Sequence, residues 1–190
     1  MDTKSLMIAT ATNLFQQKGY KSVDLSEILK ACNVTKGALY HHFPNGKEEL
    51  LIACLHALND TITMEIEGVF SEHLSTKEAT QSMINTLIHN LEVEGTISGY
   101  TFSSIVSEMA TVSEPVHKAC SALYENIQDI FYTKLENEGF GNESASAIAL
   151  LMTASIEGAM MLCLTKKSTD PLKTIARLLP SLLTKNSLST

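Results

Sequence analysis

Residues 24–43 constrain this chain more than any other stretch. Asp24-Leu25-Ser26-Glu27 has the form of a capping box, an aspartate at the N-cap and a glutamate three residues on. Leu25, Ile28 and Leu29 follow as the inward set of a short helix reaching about Cys32. Asn33 then suits the left-handed position that ends a helix. Only Val34 intervenes before Thr35, the N-cap of another short helix that Phe43 and Pro44 close. Two capped helices joined by so tight a turn make a helix-turn-helix. Helices this short are unstable alone, so a longer one must hold them. Residues 4–18 supply it: Met7, Ala11, Leu14 and Phe15 fall at i, i+4, i+7 and i+8, and Ile8 widens that face. Gly19 suits a C-cap with positive φ, and Tyr20 can pack back over the last turn.

Charge restricts what such a unit can bind. The chain carries a formal −7, which argues against nonspecific nucleic-acid binding by the whole surface. Residues 1–50 nevertheless hold six lysines against five acids, whereas the rest holds eight basic against sixteen acidic residues. Only the N-terminal quarter can therefore face a polyanion. Within it, Thr35 can cap its helix and still present the first amides to a phosphate. Lys36 reaches a phosphate or a base edge from the first turn, and Gly37 lets the backbone approach a groove wall. Tyr40, His41 and His42 carry donors for phosphate oxygens, Lys47 adds a cation, and Ser26 is a further phosphate candidate. The alternative is that Tyr40 and one histidine pack into the small core. Leu39 and Phe43 are assigned to that core outright.

Other chemistries lack their signatures. There is no HExxH and no GxSxG, and Gly46-Lys47 is followed by glutamate, which rules out a P-loop. His41 and His42 are adjacent and point about 100° apart on a helix, so they do not chelate one metal. Cys32, Cys54, Cys120 and Cys163 show no zinc spacing and read as reduced, buried thiols of a cytoplasmic protein. No enzymatic activity, cofactor or metal is expected.

The remainder reads as helix after helix. A long one runs from Lys47 to about His73 with Leu51, Leu55, Leu58, Ile62 and Ile66 as its stripe, and Thr76-Lys77-Glu78 caps the next, to about Glu94. Gly95 and Gly99 frame a loop before a short segment over residues 100–110. Glu114-Pro115 starts another helix that Gly139 and Gly141 end. Asn142 caps one that runs to about Lys166, and Asp170-Pro171 starts the last. The apolar run Ile148–Leu164 is marginal as a membrane span and has Glu157 in its middle, so a helix buried on all sides is expected. Ala154, Ser155, Gly158 and Ala159 would admit another helix closely; with the stripe Leu172, Ile175 and Leu179 they form the expected dimer interface.

Phe15 with Gly19-Tyr20, Ile28 six residues before Val34, Thr35-Lys36-Gly37-Ala38-Leu39-Tyr40-His41-His42-Phe43 and Lys47-Glu48-Glu49-Leu50 together resemble the N-terminal domain of TetR-family transcriptional regulators. Pro44-Asn45-Gly46 carries one residue more than most members, as in the LmrA/YxaF subgroup, a resemblance that continues through Ile156-Glu157-Gly158-Ala159. The resemblance implies an all-α fold, with a three-helix helix-turn-helix domain over residues 1–48 and a larger effector-binding and dimerisation domain over 49–190. It implies a homodimer with a four-helix bundle interface, no membrane association, and binding of a palindromic operator in double-stranded DNA. It places the DNA contacts at Thr35, Lys36, Gly37, Tyr40, His41, His42 and Lys47. It also implies an effector pocket, for which Met64, Met83, Phe102, Met109, Tyr124, Met152 and Ile156 offer adaptable lining. Few basic side chains are available there, so the effector is expected to be apolar or aromatic and to release a repressor that controls drug efflux or resistance genes. An activator on the same fold, or a helical small-molecule-binding protein, are the other readings.

Overall fold

The computed structural model of the chain describes residues 2–94 and 113–183. Eight helices and no strand are present among the described residues: α1 Thr3–Lys18, α2 Leu25–Cys32, α3 Lys36–His42, α4 Lys47–Glu72, α5 Thr76–Glu94, α6 Glu114–Asn137, α7 Asn142–Lys166 and α8 Asp170–Leu182. The expected loop at Gly95 and Gly99 and the segment over 100–110 lie outside the described residues, as do Phe102 and Met109. By packing, residues up to Thr61 form one compact unit with Ser113–Ala122, and Ile62–Glu94 forms another with Leu123 onwards. The units therefore part within α4 and α6.

In the first unit Met7, Ala11 and Phe15 of α1 bury their side chains with Ile28, Leu39, Phe43, Leu50, Leu51 and Leu55. Gly19 ends α1 at φ 78°, its N–H donating to the Phe15 carbonyl over 2.9 Å, and the Tyr20 ring lies 5.3 Å from that of Phe15. Both features follow the sequence. The capping box on α2 does not. Asp24 holds the N-cap position without a side-chain bond to the helix, and Glu27 reaches sideways to an ion pair with Lys18. A cation across the α1–α2 corner has taken the carboxylate that a box needs.

The second unit corrects two more caps. At α5 the N-cap is Ser75, not Thr76. The Ser75 N–H donates to Glu78 Oε2 over 3.2 Å, and the Glu78 N–H returns to Ser75 Oγ over 3.2 Å. Thr76 is fully buried, and its N–H and hydroxyl both donate to Glu138 just beyond α6. Lys134 donates to the carbonyls of Phe70 at 3.0 Å and His73 at 2.7 Å. The tail of α6 thus puts a cation on the carbonyl end of α4 and an anion on the amide end of α5, as the helix dipoles favour. At α7, Gly141 rather than Asn142 is the N-cap.

Helix α8 packs on α5 and α7. Pro180 is accommodated two residues before its end, and Leu172, Ala176 and Leu179 point inward. The expectation that α7 is buried on all sides fails. Ile148, Ala149, Met152, Ile156, Ala159 and Cys163 are buried, but Leu150, Leu151, Met161 and Leu162 are 41–57% exposed, and Ala154 and Gly158 are also on the open side.

Candidate nucleic-acid interface

The turn between α2 and α3 sets the aim of α3. Asn33 adopts φ 53°, ψ 44°, and its N–H and that of Val34 return to the last carbonyls of α2, the Val34 bond to Leu29 measuring 3.0 Å. This is a left-handed cap of the Schellman kind, and asparagine tolerates it better than most side chains. The chain then extends at Thr35, whose hydroxyl oxygen accepts the Ala38 N–H over 3.2 Å and starts α3.

Two side chains root α3. Leu39 and Phe43 are 0% and 1% exposed. Turned away from them, Thr35, Lys36, Gly37, Tyr40 and His41 are exposed, and His42 is half-buried. The reading that packs Tyr40 into the core is excluded by its 42% exposure. The His41 and His42 rings meet edge to face at 5.0 Å, and the Lys36 ammonium lies 5.8 Å over the Tyr40 ring. Among the described residues, neither Lys36 nor the Tyr40 hydroxyl has an ion-pair or hydrogen-bond partner. A row of donors left unsatisfied by the fold is what a row of phosphates requires. Ser26, near the start of α2, is exposed as well.

Gly37 has no internal reason to be glycine. A Cβ there would meet only Thr35 Oγ1, at 3.8 Å. A helical glycine is costly by about 1 kcal/mol relative to alanine, and packing within the protomer does not require it here. Lys47 departs from expectation in the other direction. Its ammonium donates to the Tyr20 carbonyl over 2.6 Å, lies 4.1 Å over the Tyr20 ring and 6.0 Å over that of Phe15. It ties the α1–α2 corner to the start of α4 and is not a free cation. The sequence signal for this was Tyr20 itself, an aromatic at the corner that Lys47 approaches.

An arrangement of this kind, an exposed polar helix held by a capped partner and a supporting helix, is matched by known regulators. Residues 7–54 match the family model described as bacterial regulatory proteins, tetR family, and residues 76–178 match that of the transcriptional regulator LmrA/YxaF-like C-terminal domain. The chain belongs to the TetR family. It is 34% identical to the HTH-type transcriptional regulator YxaF of Bacillus subtilis (strain 168), over 97% of this chain and 96% of that protein. To the HTH-type transcriptional regulator LmrA of the same organism it is 30% identical, over 96% and 97%. Among solved structures, the reduced form of Escherichia coli NemR superposes with a TM-score of 0.86 at 22% identity, covering 97% of this chain and 99% of that one. Helix α3 is thus the second helix of the helix-turn-helix in a TetR-family transcriptional regulator, which is not an enzyme.

The remaining expected sites of this TetR-family chain fall in its C-terminal half. Met83, Met152 and Ile156 are buried and Tyr124 is half-buried, so they can border an interior ligand. Met64 is 70% exposed on α4 and cannot line an enclosed pocket of one protomer. For the dimer face, Ala154, Ser155, Gly158, Ala159 and Ile175 line one open groove of about 550 Å³ between α7 and α8, together with Leu162, Pro171 and Thr174. Leu172 and Leu179 are corrected: at 0% and 2% exposure they fill the protomer's own core. The period of α8 marked its apolar face correctly, but that face already packs on α5 and α7.

Proposed function

We propose that this regulator is a homodimeric repressor that binds a palindromic operator and leaves it when a small apolar or aromatic effector binds the C-terminal unit. The observation that carries the DNA reading is the division of α3, with Leu39 and Phe43 buried and Lys36, Gly37, Tyr40 and His41 exposed. Contacts at Thr35, Lys36, Gly37, Tyr40, His41 and His42 then lie on the phosphates and groove edges, with Ser26 as an outer phosphate contact. NemR, a curated relative at 26% identity over 140 residues, is itself an HTH-type transcriptional repressor.

One recognition helix makes too few contacts for tight binding, so the dimer is part of the site. The open face of α7 supports it. A Cβ at Gly158 would meet nothing within 4 Å inside the protomer, and the α7 side of the groove beside it carries the small side chains of Ala154, Ser155 and Ala159. That space fits a second α7, with Leu151, Met161 and Leu162 against the partner. Helix α7 is long and apolar enough to cross a membrane by length and composition, but half-exposed Glu157 midway suits a protein interface in the cytoplasm better than lipid. Two recognition helices on a two-fold axis would enter successive major grooves about 34–36 Å apart. Helix α4 belongs to both compact units, which makes it the natural carrier of effector-driven movement to α3.

Selection of duplexes from a random pool by the wild-type protein tests this. A two-fold symmetric site is expected, with affinity weakened about tenfold or more by Lys36→Ala while the dimer persists in sedimentation. A pool with no enriched sequence would remove the assignment.

A further inference from the structure

We propose that Gly46 is a positioning residue for Tyr40, a seat without a side chain that fixes where the tyrosine hydroxyl meets DNA. The inference rests on the reading of Tyr40 as a DNA contact.

The turn between α3 and α4 is Pro44-Asn45-Gly46. Its first two members, Pro44 and Asn45, are exposed, yet Gly46 is buried. What covers it is Tyr40. A Cβ built on Gly46 would have Tyr40 Cε1 at 3.4 Å, the hydroxyl oxygen at 3.6 Å and Cζ at 3.8 Å as its three nearest atoms. Carbon atoms pack best at about 3.5–4.0 Å, so a bare Cβ would already touch the ring, and a longer side chain would compete with it for the same space. The seat itself is fixed. Gly46 stands at φ 69°, its N–H donates to the Phe43 carbonyl over 2.8 Å, and its carbonyl accepts the Leu50 N–H over 3.1 Å. The Asn45 N–H donates to Glu49 Oε2 over 2.8 Å. Phe43 is 1% exposed, which anchors the near end of the turn in the core.

Tyr40 is consequently held along its ring while its hydroxyl remains unpartnered among the described residues. Lys36 stands 5.8 Å over the same ring, so the two exposed donors are placed relative to each other. An exposed tyrosine normally loses rotamer freedom when it binds; one already seated loses less. Gly46 touches no DNA in this scheme. It acts through Tyr40.

Backbone strain and displacement of the ring can be separated because they rank substitutions oppositely. Alanine is strained at φ 69° but adds only a Cβ; asparagine tolerates that φ and adds three further heavy atoms. Gly46→Ala should lower the melting temperature by about 2–5 °C and Gly46→Asn by less. Affinity should run the other way. On a labelled duplex selected by the wild-type protein, Gly46→Asn should weaken binding about tenfold and Gly46→Ala only about two- to threefold, against about ten- to a hundredfold for Tyr40→Ala. Anisotropy titrations at a salt concentration low enough for Tyr40→Ala to saturate allow both Gly46 changes to be repeated in that background. There each should change affinity by less than about twofold, the coupling expected of residues that act together. Affinity losses that follow the melting order, or that persist without Tyr40, would overturn the positioning role. Binding by Tyr40→Ala equal to wild type would instead overturn the DNA-contact reading on which it rests.

Discussion

Replacing Glu138 by alanine should destabilise the C-terminal unit far more than its half-exposed position suggests. One carboxylate oxygen receives both the amide N–H and the hydroxyl of Thr76, the latter over 2.8 Å. Thr76 is 0% exposed, so its donors have no water to turn to. Leaving a buried donor unsatisfied costs about 1–3 kcal/mol, and an anion at a helix N-terminus contributes about 0.3–1 kcal/mol more. Relaxation around the half-exposed carboxylate will recover part of this, which puts the expected loss at about 2–4 kcal/mol. In a chain of this size each kcal/mol moves the melting temperature by about 2–4 °C, so Glu138→Ala should melt about 5–15 °C below wild type. Glu138→Gln keeps an acceptor and loses only the charge, and should cost about 1 kcal/mol. Helix loss followed by circular dichroism measures both, at equal protomer concentration because the proposed dimer would make melting concentration-dependent. A melting temperature for Glu138→Ala within about 1 °C of wild type, or equal damage from both substitutions, would refute the reasoning.

Three shorter tests bear on other parts of the chain. Lys36→Gln and Lys47→Gln each remove one lysine, but Lys36 should lower the salt dependence of DNA binding by about two ions per dimer without altering melting. Lys47→Gln should lower melting by several degrees instead, since the Tyr20 carbonyl loses the shorter of its two donors and keeps only the Val23 N–H at 3.4 Å; the opposite pattern would restore Lys47 as a free DNA cation. Burial pushes the thiols of Cys54 and Cys120 up to about 11, which leaves roughly one thiolate per thousand at pH 8, so both should resist alkylation until the protein is unfolded. Rapid labelling of either in the native state would contradict their burial. Hydrogen bonds from Lys173 and Thr169 hold the Glu92 carboxyl below its ordinary 4.5, and the Glu92 carboxylate holds Lys173 above its ordinary 10.5. A depressed acid stabilises above its unfolded pKa and fails as pH falls through the folded one; a raised base stabilises below its unfolded pKa and fails as pH rises through the folded one. The tie between α5 and α8 should therefore act between about pH 5 and pH 10, and a melting difference between wild type and Glu92→Gln that does not shrink as pH falls below the ordinary 4.5 would exclude it.

Where local chemistry decides the structure, the sequence was legible. Asn33 in the left-handed region, Gly19 at positive φ, Thr35 as N-cap and the burial of Leu39 and Phe43 all depend on residues within a few positions of one another. Long-range partners overrode local rules at the caps. Glu27 was drawn to Lys18 nine residues away, and Thr76 was taken by Glu138, which left Ser75 to cap α5. Lys47 shows the same limit within the site. As a lysine beside a recognition helix it reads as a phosphate contact, and only the fold brings the Tyr20 carbonyl to its ammonium. Gly46 gives no signal in the sequence because its proposed role lies in atoms it does not have.

Helix α7 shows why an apolar pattern alone underdetermines its environment. A run that is apolar around its whole circumference fits a core helix, a membrane span and a helix shared between subunits equally well. Burial separates them. One side of α7 holds Ile148, Met152, Ile156, Ala159 and Cys163 inside the protomer, so lipid on all sides is excluded. The other side leaves Leu151, Met161 and Leu162 nearly half exposed around Gly158, so burial by this protomer alone is excluded too. Exposed large aliphatic side chains lose about 25 cal/mol for each Å² left in water, and a glycine in mid-helix adds its own penalty. Both costs would be offset by one event, the close approach of a second apolar helix in the proposed dimer. A charge built into that face, as in Gly158→Glu, should accordingly abolish the dimer in sedimentation while leaving the helical content of the protomer largely intact. Operator affinity should fall with the dimer although α3 is untouched. Retention of a full dimer by that variant would place the interface elsewhere.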